Sequence, residues 1–108
     1  MKKIRRNIPS GQLALEKRRT ICWRVYVRDG SRCQVCGEGG HEVHEIVPRS
    51  AFSSRTMPEC FQEKNMVVIC RKCHAKAATY EARRELLLKL RSMHGYDYSM
   101  EPWRGYVG

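Results

Sequence analysis

The sequence predicts a small α+β domain that is held together by a metal ion. Two short β-like segments, residues 42–47 and 65–69, lie between two segments of helical character. Four cysteines form two Cys-x-x-Cys pairs, and the second pair directly follows the second β-like segment. The 108 residues are enough for one domain, whose core is so small that an internal staple is expected.

The chain is strongly basic, with 21 Lys+Arg against 11 Asp+Glu and a formal net charge of +10. This charge favours a polyanionic partner, most often nucleic acid, although a solvated basic surface gives the same balance. DNA, RNA and anionic lipid all remain open on charge alone. No apolar run approaches the roughly 18 residues that a membrane-spanning helix needs, and we expect no membrane partner.

The N-terminus predicts a protein that stays in the cytoplasm. Its first six residues are basic like the start of a signal peptide, but polar residues, proline and glycine follow instead of an apolar segment. Six cysteines in a chain without an export signal indicate metal ligands rather than disulfides.

A basic arm and a basic helix are predicted before the β-like segments. Residues 1–11 contain two breakers, Pro9 and Gly11, and we expect them to form a mobile arm. Residues 12–28 combine apolar and basic side chains and are predicted as a helix, which ends at Asp29-Gly30.

A long helix and an aromatic tail are predicted after the β-like segments. From Arg71 onward, apolar residues recur at three- and four-residue steps, which predicts a helix that ends near Gly95 and closes a domain of residues 12–95. Residues 96–108 form the tail, whose four rings are those of Tyr96, Tyr98, Trp103 and Tyr106. We expect these rings to cover the small core from outside; a stacking or partner surface is the alternative.

The two Cys-x-x-Cys pairs predict a structural zinc site. This spacing lets two thiolates from one tight turn reach the same tetrahedral ion, and two such turns complete the site. The predicted ligands are Cys33, Cys36, Cys70 and Cys73. A redox Cys-x-x-Cys is the alternative, but the strand–motif–helix context of a thioredoxin-like site is missing. Cys22 and Cys60 are interpreted as small buried or semi-exposed thiols without a ligand role.

A second group of polar residues lies between and beside the cysteine pairs. His44 and Glu45 occur in Val-His-Glu-Ile-Val-Pro-Arg-Ser, and Asn65 and His74 in Lys-Asn-Met-Val-Val-Ile-Cys-Arg-Lys-Cys-His-Ala-Lys. With the lead-in Val-Arg-Asp-Gly-Ser-Arg-Cys-Gln-Val-Cys-Gly, these segments resemble the HNH endonuclease family over residues 24–76, roughly half the chain. The resemblance is to small zinc-stapled members common in phage and mobile-element genomes, which places the protein in a bacterial or phage-infected cell.

The resemblance implies a ββα-metal (His-Me finger) fold, in which a helix crosses a β-hairpin and one divalent ion lies between them. It implies that the protein is a metal-dependent DNA endonuclease that cuts one or both strands. The residues show no base-reading pattern, so we expect weak sequence preference. His44 and His74 would bind the catalytic ion, such as Mg²⁺, Mn²⁺ or Ni²⁺. Asn65 would hold the loop and orient the catalytic group, while zinc fixes the spacing of the two histidines.

The sequence departs from the family pattern at two positions. Members usually carry a histidine as general base directly after the first metal ligand, where this chain has Glu45. Glu45 is either the base or a second metal ligand, and His41 is a reserve candidate for the base. One helical turn after His74, where many members carry another ligand, this chain has Ala78.

Basic residues near the predicted site form a candidate DNA-binding face. The named contacts are Arg28, Arg32, Arg49, Arg55 and Lys64. As a set they fit phosphate tracking, although each one alone is compatible with a solvated surface charge. Two other functions remain open: a non-catalytic zinc module that binds DNA, and a zinc-ribbon protein that binds RNA. We expect a monomer or a weak dimer.

Overall fold

The first element is a long helix, α1, that spans Ser10–Asp29. The computed structural model describes residues 10–108, with side chains from Lys17 onward, so residues 1–9 of the predicted arm lie outside the described part. The helix predicted over residues 12–28 is confirmed, and it begins slightly earlier and includes Asp29.

A left-handed turn ends α1 where the sequence predicts it. Gly30 and Ser31 have φ angles of 63° and 55°. Their N–H groups donate to the carbonyl oxygens of Val27 and Tyr26, respectively, at 3.3 and 3.0 Å. These two bonds form a Schellman motif, which satisfies carbonyls that the helix end would leave unpaired.

Two four-residue strands pair in an antiparallel sheet. Strand β1 spans Glu42–Glu45 and strand β2 spans Met66–Ile69, with Glu42 opposite Ile69 and Glu45 opposite Met66. Both predicted strands are confirmed with shorter bounds. Ile46 and Val47 are fully buried but lie beyond the strand, and Asn65 belongs to a 3-10 turn, Glu63–Asn65.

The alternation of β2 distributes the small core over both faces of the sheet. Met66 and Val68 pack against Val25 of α1. On the opposite face, Val67 joins the largest core cluster, and Ile69 contacts Cys33 beside the cysteine pairs. All four residues of β2 are buried, which agrees with the near-continuous apolar sequence of this strand.

The helical segment after β2 is interrupted, so the prediction of one continuous helix from Arg71 is wrong. A short helix, α3, spans Arg71–His74, and the long helix α4 begins only at Tyr80 and spans Tyr80–His94. Thr79 starts α4 as an extended N-cap whose side chain accepts a hydrogen bond from the backbone N–H of Ala82 at 3.1 Å. Apolar periodicity continues across this break and therefore does not reveal it. Gly95 ends α4 with a φ of 72°, as predicted.

The remaining elements are short. Between the strands lie a 3-10 turn at Arg49–Ala51 and helix α2 at Met57–Cys60. Helix α5, Arg104–Val107, lies in the aromatic tail. Together these elements confirm the α+β class. No helix within residues 10–108 combines the length and the apolar character needed to cross a lipid bilayer.

The aromatic tail packs on the main core, as predicted, but two of its rings lie inside the core instead of covering it from outside. Tyr98 and Trp103 are buried in the same cluster as Val67 and three leucines of α4, and the rings of Tyr96 and Tyr106 pack on its edge. The Trp103 ring also lies edge-on to Phe52, with ring centroids 5.6 Å apart. The tail therefore belongs to the same folded unit as the sheet.

We predict that Trp103→Ala lowers the free energy of unfolding by about 3–5 kcal/mol, because the deleted indole leaves a cavity in the core. Trp103 is 1% exposed, whereas Met100 in the same tail is 69% exposed. Met100→Ala is the matched control and should change stability by less than about 0.5 kcal/mol. Urea denaturation followed by circular dichroism measures both, and equal losses would contradict the assignment of the tail to the core.

Candidate metal centre

Four cysteine sulfurs converge beside the sheet, at the predicted zinc site. The Sγ atoms of Cys33, Cys36, Cys70 and Cys73 all lie within 4.8 Å of one another. The Sγ atoms of Cys36 and Cys70 are 3.7 Å apart. Tetrahedral Zn–S bonds of about 2.3 Å require sulfur–sulfur distances of about 3.8 Å, whereas a disulfide measures about 2.05 Å. The four cysteines are therefore positioned to hold a metal ion such as Zn²⁺.

The first cysteine turn is built by backbone hydrogen bonds. Gly37 adopts a φ of 81°, and its N–H donates to the carbonyl of Cys33 at 2.9 Å. The N–H of Val35 points at the Cys33 sulfur at 3.4 Å. The N–H of Gln34 donates to the carbonyl of Val68 at 3.0 Å, which attaches this turn to β2.

The electrostatics of the thiols favour a bound cation. Burial opposes ionisation of Cys33, but N–H groups of Cys36, Cys70 and Val35 outweigh it and lower the pKa of the Cys33 thiol to about 6. The Cys73 thiol donates a hydrogen bond to the Cys70 sulfur, which favours its protonated form and, with burial, raises the pKa of Cys73 to about 12. Four thiolates at this separation repel one another, and a divalent cation removes that repulsion.

The two remaining cysteines lie outside the cluster, as predicted. Cys60 is buried, and this burial raises the pKa of its thiol to about 11. Cys22 is half-buried on α1.

Two imidazoles meet on the face of the sheet that lies away from α1. The ring centroids of His44 in β1 and His74 at the end of α3 are 4.8 Å apart, with an interplanar angle of 61°. The backbone N–H of His74 donates to the carbonyl of Cys70 at 2.8 Å, so the second cysteine turn sets the position of this residue and its ring. Nδ1 of His74 lies 2.5 Å from a carboxylate oxygen of Glu42.

The His44 ring has an unused nitrogen. Nε2 of His44 and Nε of Arg83 are both buried and lack a hydrogen-bond partner within the described residues. Burial, with the nearby charges of His74 and Arg83, lowers the pKa of His44 to about 4. The ring is therefore neutral at pH 7. The histidine pair offers two nitrogens. Among the side chains that the structure describes, those of residues 17–108, the cysteine cluster is the one group that brings three or more potential ligands together.

Glu45 lies on the opposite face of the sheet from the histidine pair. Strand alternation puts Glu42 and His44 on one face and Glu45 on the face that carries α1. Both oxygens of the Glu45 carboxylate accept hydrogen bonds, one from Arg18 at 2.8 Å and one from Arg49 at 3.1 Å. His41 is exposed just before β1, and its carbonyl accepts a hydrogen bond from the hydroxyl of Tyr26.

Asn65 is fully buried and ties three segments together. Its Oδ1 accepts from the N–H of Val47 and from Nε1 of Trp103, both at 3.0 Å. Its Nδ2 donates to the carbonyls of Val47 and Cys60, also at 3.0 Å. Asn65 thus holds the conformation of the loop that connects the two strands.

The five basic residues predicted to bind nucleic acid have different environments. Arg28 is used internally: its guanidinium makes five hydrogen bonds, to both oxygens of Asp29, two carbonyls and the Tyr96 hydroxyl. Lys64 lies 4.2 Å from the centre of the Trp103 ring and donates to the carbonyl of Asp97. The other three, Arg32, Arg49 and Arg55, are exposed. Because the guanidinium of Arg28 already makes five hydrogen bonds, this residue has no N–H left for a phosphate.

Two residues at the histidine pair were missed by sequence reasoning. Glu42 precedes His44 by two positions, and strand alternation was the signal that puts them on one face. The sequence gives no signal that puts Arg83 at this place, because the break before Tyr80, which sets the direction of α4, is not visible in the apolar pattern.

Comparisons with known proteins add no relative. No family model, curated protein or solved structure matches this chain significantly.

We predict one zinc ion per chain, bound by the four cysteines. Cys36 is exposed, so Cys36→Ser removes a ligand without disturbing the core and should abolish stoichiometric zinc. Cys22→Ser is the matched control and should retain it. Elemental analysis of the purified proteins measures the metal, and thermal unfolding with and without a chelator measures its contribution to stability. A metal-free protein of unchanged melting temperature would contradict the site.

Proposed function

We propose that the chain is a metal-dependent DNA endonuclease of the HNH type, in which β1, β2 and α3 form the ββα-metal unit. The observation that carries the proposal is the histidine pair: Nε2 of His44 is buried and unpartnered next to the His74 ring. A buried nitrogen without a partner is costly unless something binds it, and imidazole suits a divalent cation.

The carboxylate of Glu42 prepares His74 for such a role. In the neutral ring, the bond to Glu42 puts the proton on Nδ1 and leaves the lone pair of Nε2 free. His44 and His74 would then supply two ligands, and water and a phosphate oxygen would complete the coordination. A divalent ion held there supplies charge stabilisation to the phosphate and to the leaving oxygen.

Arg83 supports binding of an anion at the same place. Its charge acts on His44, and its buried Nε has no partner within the described residues. A phosphodiester is an anion that accepts hydrogen bonds from a guanidinium, so it would satisfy this group. The net charge of +10 adds a general attraction for DNA.

The geometry does not favour the residue that the resemblance assigns to water activation. The resemblance assigns it to Glu45, with His41 in reserve. Glu45 reaches that role only when its ion pairs with Arg18 and Arg49 open and its side chain leaves the α1 face. Glu42 already lies on the face of the histidine pair, and we assign it the positioning of His74.

We predict that the zinc-loaded protein nicks supercoiled plasmid DNA when Mg²⁺, Mn²⁺ or Ni²⁺ is added. His74→Ala should reduce nicking by at least about 100-fold, more than the loss of an outer partner of a metal ligand costs. His94→Ala is the matched control, because His94 is exposed at the end of α4 and far along the chain from the pair. Gel electrophoresis of the plasmid gives the rates.

The same assay separates the alternatives. Nicking that survives His74→Ala would overturn the assigned site. Absence of nicking with every metal, together with intact DNA binding, would favour a non-catalytic zinc module. Such a module needs no free base, which agrees with a Glu45 carboxylate whose two oxygens are both hydrogen-bonded. Much tighter binding of RNA than of DNA would favour an RNA-binding protein.

We predict that Glu42→Gln lowers the nicking rate by about 10- to 100-fold, because the amide orients the His74 ring less well than the carboxylate does. DNA affinity should change less than twofold. Glu45→Gln serves as the comparison: a larger loss than that of Glu42→Gln would restore Glu45 as the base, whereas an unchanged nicking rate in Glu42→Gln would contradict the positioning assignment of Glu42. Plasmid nicking and fluorescence anisotropy measure the two properties.

A further inference from the structure

The outward face of α1 carries an exposed aromatic ring among cations. One side of the helix packs on the sheet through Val25 and half-buried neighbours. The opposite side is exposed, and its residues are Lys17, Arg19, Thr20, Trp23, Arg24 and Val27. Trp23 is 69% exposed and Val27 is 65% exposed, although large apolar side chains are normally buried.

Cations lie on both sides of this ring. At 100° per residue, Arg19 lies on one side of Trp23, and Lys17 and Arg24 lie on the other. No carboxylate is present on this face within residues 17–27. The face therefore attracts an anion and also offers a flat apolar surface.

A shallow groove of about 340 Å³ continues the surface on one side of the ring. Its lining consists of Arg18, Arg19, Cys22, Trp23 and Tyr26. The indole and the phenol side chain present apolar surface, and the exposed Arg19 presents N–H donors, whereas Arg18 is paired with Glu45. This combination of aromatic and guanidinium groups is typical of surfaces on which nucleobases stack.

We propose that the outward face of α1 binds a single-stranded stretch of nucleic acid, with one unpaired base stacked on Trp23 and the flanking phosphates on Arg19 and Arg24. A base in an intact duplex has no free π-face, whereas an unpaired base has one. A second copy of this chain is a poor occupant, because it would bring the same cations together. The inference rests on the proposed function only for the choice of DNA over RNA.

Fluorescence anisotropy of labelled oligonucleotides tests the proposal with the full-length, zinc-loaded chain and no added divalent ion, so that binding is measured without cleavage. The probes are a 15-nucleotide oligo-dT, the matching oligo-rU and a 15-base-pair DNA duplex. We expect Trp23→Ala to weaken binding of oligo-dT roughly tenfold. Duplex affinity should change less than about twofold, and Trp23→Phe should restore most of the single-strand affinity.

Two further measurements exclude trivial explanations. Met93→Ala removes another exposed apolar side chain, on α4, and should leave binding of oligo-dT unchanged. Trp103 is buried, so quenching of tryptophan fluorescence by oligo-dT reports mainly on Trp23. Quenching that persists in Trp23→Ala would contradict stacking.

Equal losses on single-stranded and duplex DNA, or no loss with Trp23→Ala, would overturn the inference. A dimer in sedimentation that Trp23→Ala abolishes would assign the face to self-association instead. Tighter binding of oligo-rU than of oligo-dT, still dependent on Trp23, would support the surface but contradict DNA as the substrate. Failure of plasmid nicking would leave these results unaffected, so the two proposals fail separately.

Discussion

Convergence of four thiols on one point is the constraint on which the rest of the structure depends. Two four-residue strands are too short to be stable alone. The cysteine cluster joins the turn after α1 to the turn after β2, and the bond from Gln34 to Val68 connects the first turn to the sheet. A methyl group on Gly40 would lie 2.6 Å from Val68, so this turn packs against β2 without space for a side chain. The position of His74, one residue after Cys73, follows from the same cluster.

The buried side-chain amide of Asn65 fixes the end of the sheet that lies opposite the cysteine cluster. Residues 46–65 contain only short helical turns, and a loop of this kind has little stability of its own. The Asn65 side chain uses its acceptor twice and both of its N–H groups, which binds Val47, Cys60 and Trp103 to one another. The tail therefore stabilises the loop that leads into β2 through a hydrogen bond as well as through apolar contact.

Sequence reasoning predicted the elements whose cause is local. The stop of α1 at Gly30 and the stop of α4 at Gly95 each depend on a few neighbouring residues, and each is confirmed. The convergence of the two Cys-x-x-Cys pairs is also confirmed, because each pair is a local turn motif even though the pairs are distant in sequence. The break between α3 and α4 was missed, because the apolar spacing continues through it while the cap of Thr79 decides where α4 starts. The internal role of Arg28 was missed for a different reason. Its partners at Glu63, Met66 and Tyr96 are distant in sequence, so no local pattern distinguishes this arginine from its exposed neighbours.

The alternation of side chains along β1 decides which of two glutamates lies beside the histidine pair. Glu42 and Glu45 are chemically identical and belong to the same four-residue strand. Glu42 faces His74. Glu45 faces α1, where Arg18 and Arg49 bind both of its carboxylate oxygens beside the Phe61 ring. Glu45 therefore joins helix, strand and loop on the α1 side. In a strand, adjacent positions point to opposite faces, so the role proposed for a glutamate of β1 depends on its face as well as on its residue type.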